Sequence, residues 1–244
     1  MRKIARYDYK VQPMDVDFNQ AIRMTQMGGY LLHTAGENAK ENGFGINVLY
    51  SEDLAWVLSR LAIEMYRYPS AEEPFQIETW IEDFTRISTT RNFKIVDAKG
   101  EIIGAASSLW CMLDMKTRKA VDLTSKAKYA AFATGIPSLI DKPVRVNGVN
   151  DQSVSRHRIK YSDIDSNRHA NSMKYLEWIV DLFPLEVFLH QKIKRIDVNY
   201  INEALFGEIV EIHQDKTQTD QCIFDLRRGE DLICRAQILF ENDI

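Results

Sequence analysis

The chain repeats itself, and the repeat limits what it can fold into. Asp15-Val-Asp17-Phe-Asn19-Gln-Ala21 returns 148 residues later as Asp163-Ile-Asp165-Ser-Asn167-Arg-His169. The Asp, Asp and Asn positions match. The residue two after the Asn is Ala21 in one copy and His169 in the other. A second segment, Arg60 to Pro69, lines up with Arg195 to Ala204 and sets Tyr68 against Glu203. A third, Phe93 to Glu101, lines up with Cys222 to Glu230, and each is followed by an apolar stretch ending in an aromatic, Trp110 and Phe240. Three segments in one order indicate two copies of one unit. An imidazole and a carboxylate that occur only in the second copy suggest one working site on a doubled scaffold.

Two copies in 244 residues give units of roughly 100–150 residues, a common domain size. The units are drawn at residues 1–135 and 151–244. The connector, 136–150, holds Pro137, Pro143 and Gly148 and little periodicity. A net charge of −4 gives no global basic field for nucleic acid. No long uncharged apolar run suggests a membrane span. The first residues, Met1-Arg-Lys-Ile-Ala-Arg, lack the apolar core of a secretory signal. Three widely spaced cysteines, Cys111, Cys222 and Cys234, argue against a disulfide framework or a zinc site and fit a reducing cytoplasm.

Each half opens with a strand, Lys3–Gln12 or Val154–Tyr161, then the Asp-x-Asp-x-Asn turn, rich in helix-capping residue types. A helix follows. In the second half Met173, Leu176, Ile179, Val180 and Phe183 recur at helical spacing until Pro184. In the first half the helix is expected from about Asn19 to Lys40. It contains Gly28-Gly29, where a close approach to a sheet or ligand, or a kink, would explain the glycines. Alternating β segments come next: Leu54–Tyr68, Phe75–Phe84, Ile87–Asp97 and Glu101–Asp114, then Lys194–Tyr200, Gly207–Gln218, Cys222–Arg227 and Asp231–Glu241. Tight turns at Lys99-Gly100 and Arg228-Gly229 make each set an antiparallel meander. The expected class is α+β, each unit one helix wrapped by an antiparallel sheet.

His169 is the candidate catalytic residue, because it stands where two matched motifs diverge. His33, His157, His190 and His213 lack such a pattern and read as structural. Asp165 and Asn167 have counterparts in the copy without the histidine, so capping, turn hydrogen bonding and catalysis all stay open for them. Glu203 is asymmetric like His169, with a solvated edge-strand charge as the other reading. No cysteine lies near a histidine in the repeat framework. No nucleophile elbow, P-loop, dinucleotide fingerprint or paired-histidine metal motif occurs.

The stretch from Tyr161 to Trp178, with Asp165-Ser-Asn167-Arg-His169-Ala-Asn171, then Lys174-Tyr175 and Trp178, closely resembles the signature of the acyl-acyl-carrier-protein (acyl-ACP) thioesterases of plants and bacteria. Leu54-Ala-Trp56-Val57, Arg60 before Arg67-Tyr68-Pro69, Glu78-Thr79-Trp80 and Ser108-Leu-Trp110 before Lys116-Thr117-Arg118 resemble that family's amino-terminal domain. The resemblance implies two tandem hotdog domains. It implies catalytic residues Asp165, Asn167, His169 and Glu203, and an acyl pocket in the first domain, with Met24, Met27, Gly28, Gly29 and Leu31 as lining. Plant members usually carry Cys directly after the Glu; Ala204 stands here, so an active enzyme cannot need that thiol. The plastid transit segment of plant members is missing from the sequence, which favours a bacterial cytoplasmic enzyme. The implied partner is an acidic acyl carrier protein. Arg168, Lys174, Lys192, Lys194 and Arg195 are the candidate basic patch for it, and a homodimer is compatible.

The implied reaction is water attack on a thioester, which requires no cofactor and no metal. An imidazole changes protonation near neutral pH and can serve as base. Glu203 would orient it or share a water. Asn167 would donate to the carbonyl or fix the water, and Asp165 would orient Asn167 or the helix start. Backbone N–H groups at the start of the helix are candidate oxyanion donors. Acyl-CoA hydrolysis, hydration of an enoyl thioester and non-catalytic acyl binding are the competing readings.

Overall fold

The computed structural model describes residues 4–149, 153–215 and 221–242. The expected strand ends at Lys3 and Gln218 lie outside them. The chain divides into two compact units, Met1–Pro143 and Val144–Ile244. The proline-rich connector is tied down at both ends. Trp80 Nε1 donates to Ile136 O at 2.8 Å, while Val144 N and Val146 N donate to the side chains of Asp197 and Asn199 at 3.1 and 2.9 Å.

In the first unit the strands are β1 (Ala5–Lys10), β2 (Leu54–Met65), β3 (Pro74–Phe84), β4 (Thr89–Asp97) and β5 (Ile102–Asp114), with the short β6 (Lys119–Ala120) beside β5. They pair antiparallel in the order β1-β3-β4-β5-β2. Helix α1 (Met24–Glu41) buries Met24, Met27, Gly28, Leu31, Ala35 and Ala39, a three-to-four-residue stripe that covers one side of an amphipathic helix. Helices α2 (Ile46–Ser51) and α3 (Ala127–Ala130) follow later in the unit, and Phe44, Leu49, Leu54 and Met112 share a core cluster with Ala39. Helix α1 runs unbroken through Gly28-Gly29. A Cβ on Gly29 would meet nothing within 4 Å, so close packing does not account for that glycine.

The second unit repeats this order. Strands β7 (Ser153–Arg158), β8 (Gln191–Tyr200), β9 (Ile209–Asp215), β10 (Gln221–Arg228) and β11 (Asp231–Asn242) pair as β7-β9-β10-β11-β8. Even the irregularities recur. Ser59 bulges out of the β2–β5 ladder, and Lys194, its counterpart, out of β8–β11. Tyr66 N and Arg67 N both donate to Ile103 O; Ile201 N and Asn202 N both donate to Ile233 O. The third repeat segment needs a correction. Strand pairing sets Phe93 opposite Ala106 and Phe224 opposite Ala236, so Phe224, not Cys222, is the counterpart of Phe93. A shift of two residues keeps every side chain on its face, so alternation cannot detect it.

Helix α4 (Ser172–Val180) is capped by Asn171, whose Oδ1 accepts from Met173 N at 2.9 Å, a contact typically worth about 1 kcal/mol. It ends at Val180, short of the expected Phe183. Pro184 then starts a further helix, α5 (Leu185–His190), rather than closing the first. Proline's fixed φ suits a helix start as well as a helix end. Helix α1 begins at Met24 rather than near Asn19, because Asp17–Ile22 folds into a turn of its own. Among the described residues no helix is long and apolar enough to cross a membrane.

Candidate active site

The repeated motif builds the same backbone frame twice. In the first unit Asp17 Oδ1 accepts from Asn19 N at 2.8 Å and Ala21 N at 3.2 Å. In the second, Asp165 Oδ1 accepts from Asn167 N at 2.8 Å and His169 N at 3.3 Å. Asp17 N donates to Ala21 O, and Asp165 N to His169 O. Gln20 and Arg168 take positive φ at the same step, 61° and 66°. The repeated aspartate therefore closes a turn. The helix caps are the later residues Arg23 and Asn171.

The frame also fixes the strand end that carries Glu203. Ala170 N donates to Ala204 O at 2.8 Å, matching Ile22 N to Pro69 O at 3.0 Å, and His169 bridges Leu205 as Ala21 bridges Ser70. Tyr68 and Glu203 are thus true structural counterparts. Only the second frame brings an imidazole and a carboxylate together at these positions: His169 Nε2 lies 3.4 Å from Glu203 Oε2. Their side chains are 29% and 37% exposed, so water reaches them. Behind them Tyr175 and Tyr200 pack at 6.0 Å, and Tyr200 donates to Ser172 O at 3.0 Å. Burial pushes both phenols up, so they stay neutral and form a wall.

Three of the backbone N–H groups around the helix start, where an oxyanion was expected, are already engaged. Ala170 N meets Ala204 O, Asn171 N meets Asp163 O, and Met173 N meets Asn171 Oδ1. The candidate basic patch also changes. Lys174 pairs with Glu177, Lys192 and Lys194 with Glu241, and Arg195 with Asp197. Of the five, only Arg168 has no ion pair among the described residues. His157, read as structural, bonds Asp163 Oδ2 at 2.8 Å and stacks on Trp178 at 4.2 Å.

Glu208 belongs to the site although the sequence motifs did not single it out. Its carboxylate accepts from Leu205 N at 2.8 Å and takes a two-oxygen contact from Arg228 Nη1 at 2.9 and 2.8 Å. Exposed ion pairs contribute only ~0–1 kcal/mol, so its importance is geometric: it holds the turn that follows Glu203. Glu73 does the same for Ser70 N at 3.0 Å, but takes its cation from Arg67. The repeat spacing that relates Tyr68 to Glu203 also relates Glu73 to Glu208, and was the signal available.

The three cysteines are free thiols. Cys222 and Cys234 are buried and Cys111 is partly so; burial pushes the Cys111 and Cys234 thiols up. A thiol kept protonated is a poor nucleophile. Iodoacetamide should therefore leave the rate of the folded protein unchanged. Stoichiometric labelling that tracks loss of activity would contradict this.

Two units that each lay a helix on an antiparallel sheet in the same strand order make this a tandem hotdog protein. Family models for the acyl-ACP thioesterase N-terminal and C-terminal domains match residues 2–128 and 147–242. The chain belongs to the acyl-ACP thioesterase family. It is 27% identical over 219 residues to the chloroplastic oleoyl-acyl carrier protein thioesterase of Coriandrum sativum, covering 82% of this chain and 59% of that protein. It thus spans under two thirds of that curated relative. An acyl-ACP thioesterase structure from Bacteroides thetaiotaomicron is 37% identical, with a TM-score of 0.91 and 98% of both chains covered. The 12:0-ACP thioesterase of Umbellularia californica, 18% identical, shares the fold at a TM-score of 0.86 over 100% of this chain and 99% of that one.

Proposed function

We propose that the chain hydrolyses fatty acyl-ACP to free fatty acid and holo-carrier by attack of water on the thioester. The observation that carries this reading is the His169–Glu203 contact at 3.4 Å, made in one of two otherwise matched frames. A thioester carbonyl accepts water once the water is deprotonated and the oxyanion is held. His169 and Glu203 both lie where a water can bridge them, and one takes its proton while the other orients it. Asp165 fixes the turn through the two N–H groups it accepts. With three of the nearby N–H groups engaged, the Asn167 amide is assigned as a donor to the carbonyl oxygen, beside the helix start at Ser172. The acyl chain is assigned to the first unit, beneath α1, and the catalytic role to the second. Three free thiols fit a reducing cytoplasm.

The test is a panel of acyl-ACPs and matched acyl-CoAs, read as free thiol and free acid released. The reading expects both products in equal amounts, with higher kcat/KM on the carrier substrates. Faster turnover of the CoA series would replace the carrier with CoA. Tight binding of acyl-ACP without release of either product would make the protein a binding module.

A further inference from the structure

The comparison that singles out His169 can be carried around the rim of its site. Strand β7 ends at Arg158, and β1 ends at its counterpart Lys10. The equivalence is structural. Val11 N donates to Glu73 O and Ile159 N to Glu208 O, while Glu72 N donates to Val11 O and Gly207 N to Ile159 O. Around the first frame the matched residues are Lys10, Gln12 and Gln20; around the second they are Arg158, Lys160 and Arg168. Lys10 is neutralised by an ion pair with Glu72. In the second copy Gly207, also at positive φ, replaces that glutamate. Arg158, Lys160 and Arg168 are all exposed, and none has an ion pair among the described residues.

So at these three matched positions the copy with the imidazole–carboxylate pair has three cations without an ion pair, where the other copy has one, Lys10, and it is paired; the first copy's own exposed arginine, Arg23, is held against the backbone carbonyls of Met14 and Asp15. Apolar exposure does not distinguish the copies: Met14 and Phe18 stand out in the first, Tyr161, Leu205 and Phe206 in the second. Charge does. The cations also share one loop cluster, since the segment Ala204–Glu208 bonds Ala170 on one side and Ile159 on the other. Leu205, 45% exposed, bridges His169, and Phe206, 67% exposed, follows it. An apolar tip inside a basic rim fits a globular partner with an acidic face better than it fits a free fatty acid.

We propose that Arg158, Lys160 and Arg168 form the docking surface for an acidic carrier protein, which presents its thioester to His169. This rests on the reading of the site as a carrier thioesterase. Steering by uncompensated charge acts on encounter, so it shows in KM and in salt dependence more than in kcat.

The experiment uses the full chain with Arg158→Glu, Lys160→Glu and, as matched control, Lys10→Glu. Arg168 lies in the catalytic turn and is left intact. Three substrates with one acyl group are compared: acyl-ACP, acyl-CoA and acyl-N-acetylcysteamine, which has neither protein nor nucleotide. Affinity for holo-ACP is measured alongside. Each of the two rim reversals should lower kcat/KM on acyl-ACP about tenfold, through KM, and weaken holo-ACP binding to match. On the N-acetylcysteamine thioester the loss should stay under about twofold. Lys10→Glu should change neither quantity. Unchanged kcat/KM on acyl-ACP, or an equal loss on all three substrates, would overturn the proposal. A loss as large on acyl-CoA as on acyl-ACP would also overturn it, by assigning the cations to a nucleotide phosphate. If the wild type hydrolyses no thioester, the functional reading fails; the holo-ACP affinities of the same variants still decide the docking surface.

Discussion

His169→Ala is expected to lose at least about 100-fold in turnover while melting close to the wild type. The first unit already contains this variant. With Ala21 at the matched position, its turn keeps the same hydrogen bonds, Ala21 N to Asp17 Oδ1 at 3.2 Å against His169 N to Asp165 Oδ1 at 3.3 Å. The backbone frame therefore does not depend on the imidazole. Thermal melting and steady-state rates on one acyl-ACP check both halves of the expectation. A folded variant with near-full activity would remove His169 from the chemistry.

Glu203→Gln is the second large effect. The substitution keeps shape and polarity and removes the charge 3.4 Å from His169 Nε2. If Glu203 orients the imidazole or takes the proton of the water, kcat should fall by roughly 100-fold or more. Affinity for a non-hydrolysable acyl thioester analogue should stay close to that of the wild type, because the acyl chain is assigned to the other unit. A solvated edge-strand charge would leave both quantities unchanged. A loss of affinity alone would make Glu203 a binding group.

The site pair was legible in the sequence because a duplication carries its own control. Ala21 against His169 and Tyr68 against Glu203 are differences between two copies under one set of folding constraints, and the paired hydrogen bonds at Pro69 and Ala204 place them at equivalent points. Strand order was partly legible too, since glycine turns announce neighbouring strands. What escaped has two sources, local turn hydrogen bonds and the meeting of residues distant in sequence. The start of α1 shifted because Asp17–Ala21 closes a turn on its own N–H groups, those of Asp17, Asn19, Gln20 and Ala21, which helix-capping residue types cannot reveal. The third segment was aligned on Gly100 and Gly229, and the two-residue slip to Phe224 leaves the in-out pattern intact. Four of the five candidate basic-patch residues meet carboxylates, and two of the four meet one on another strand. Glu241 on β11 faces Lys192 and Lys194 on β8, a pairing that only register defines. Arg228 reaches Glu208 from β10, whereas the matching glutamate of the first copy, Glu73, takes its cation from Arg67.

The most direct test compares the wild type with the His169→Ala, Glu203→Gln double variant on one acyl-ACP, following free thiol and free fatty acid together. The wild type should release both in equal amounts over many turnovers. The double variant should release neither at a rate above background, and should lose no more than the worse single variant, since the two groups act as a unit. Retention of turnover in the folded double variant would contradict a single working site in the second copy.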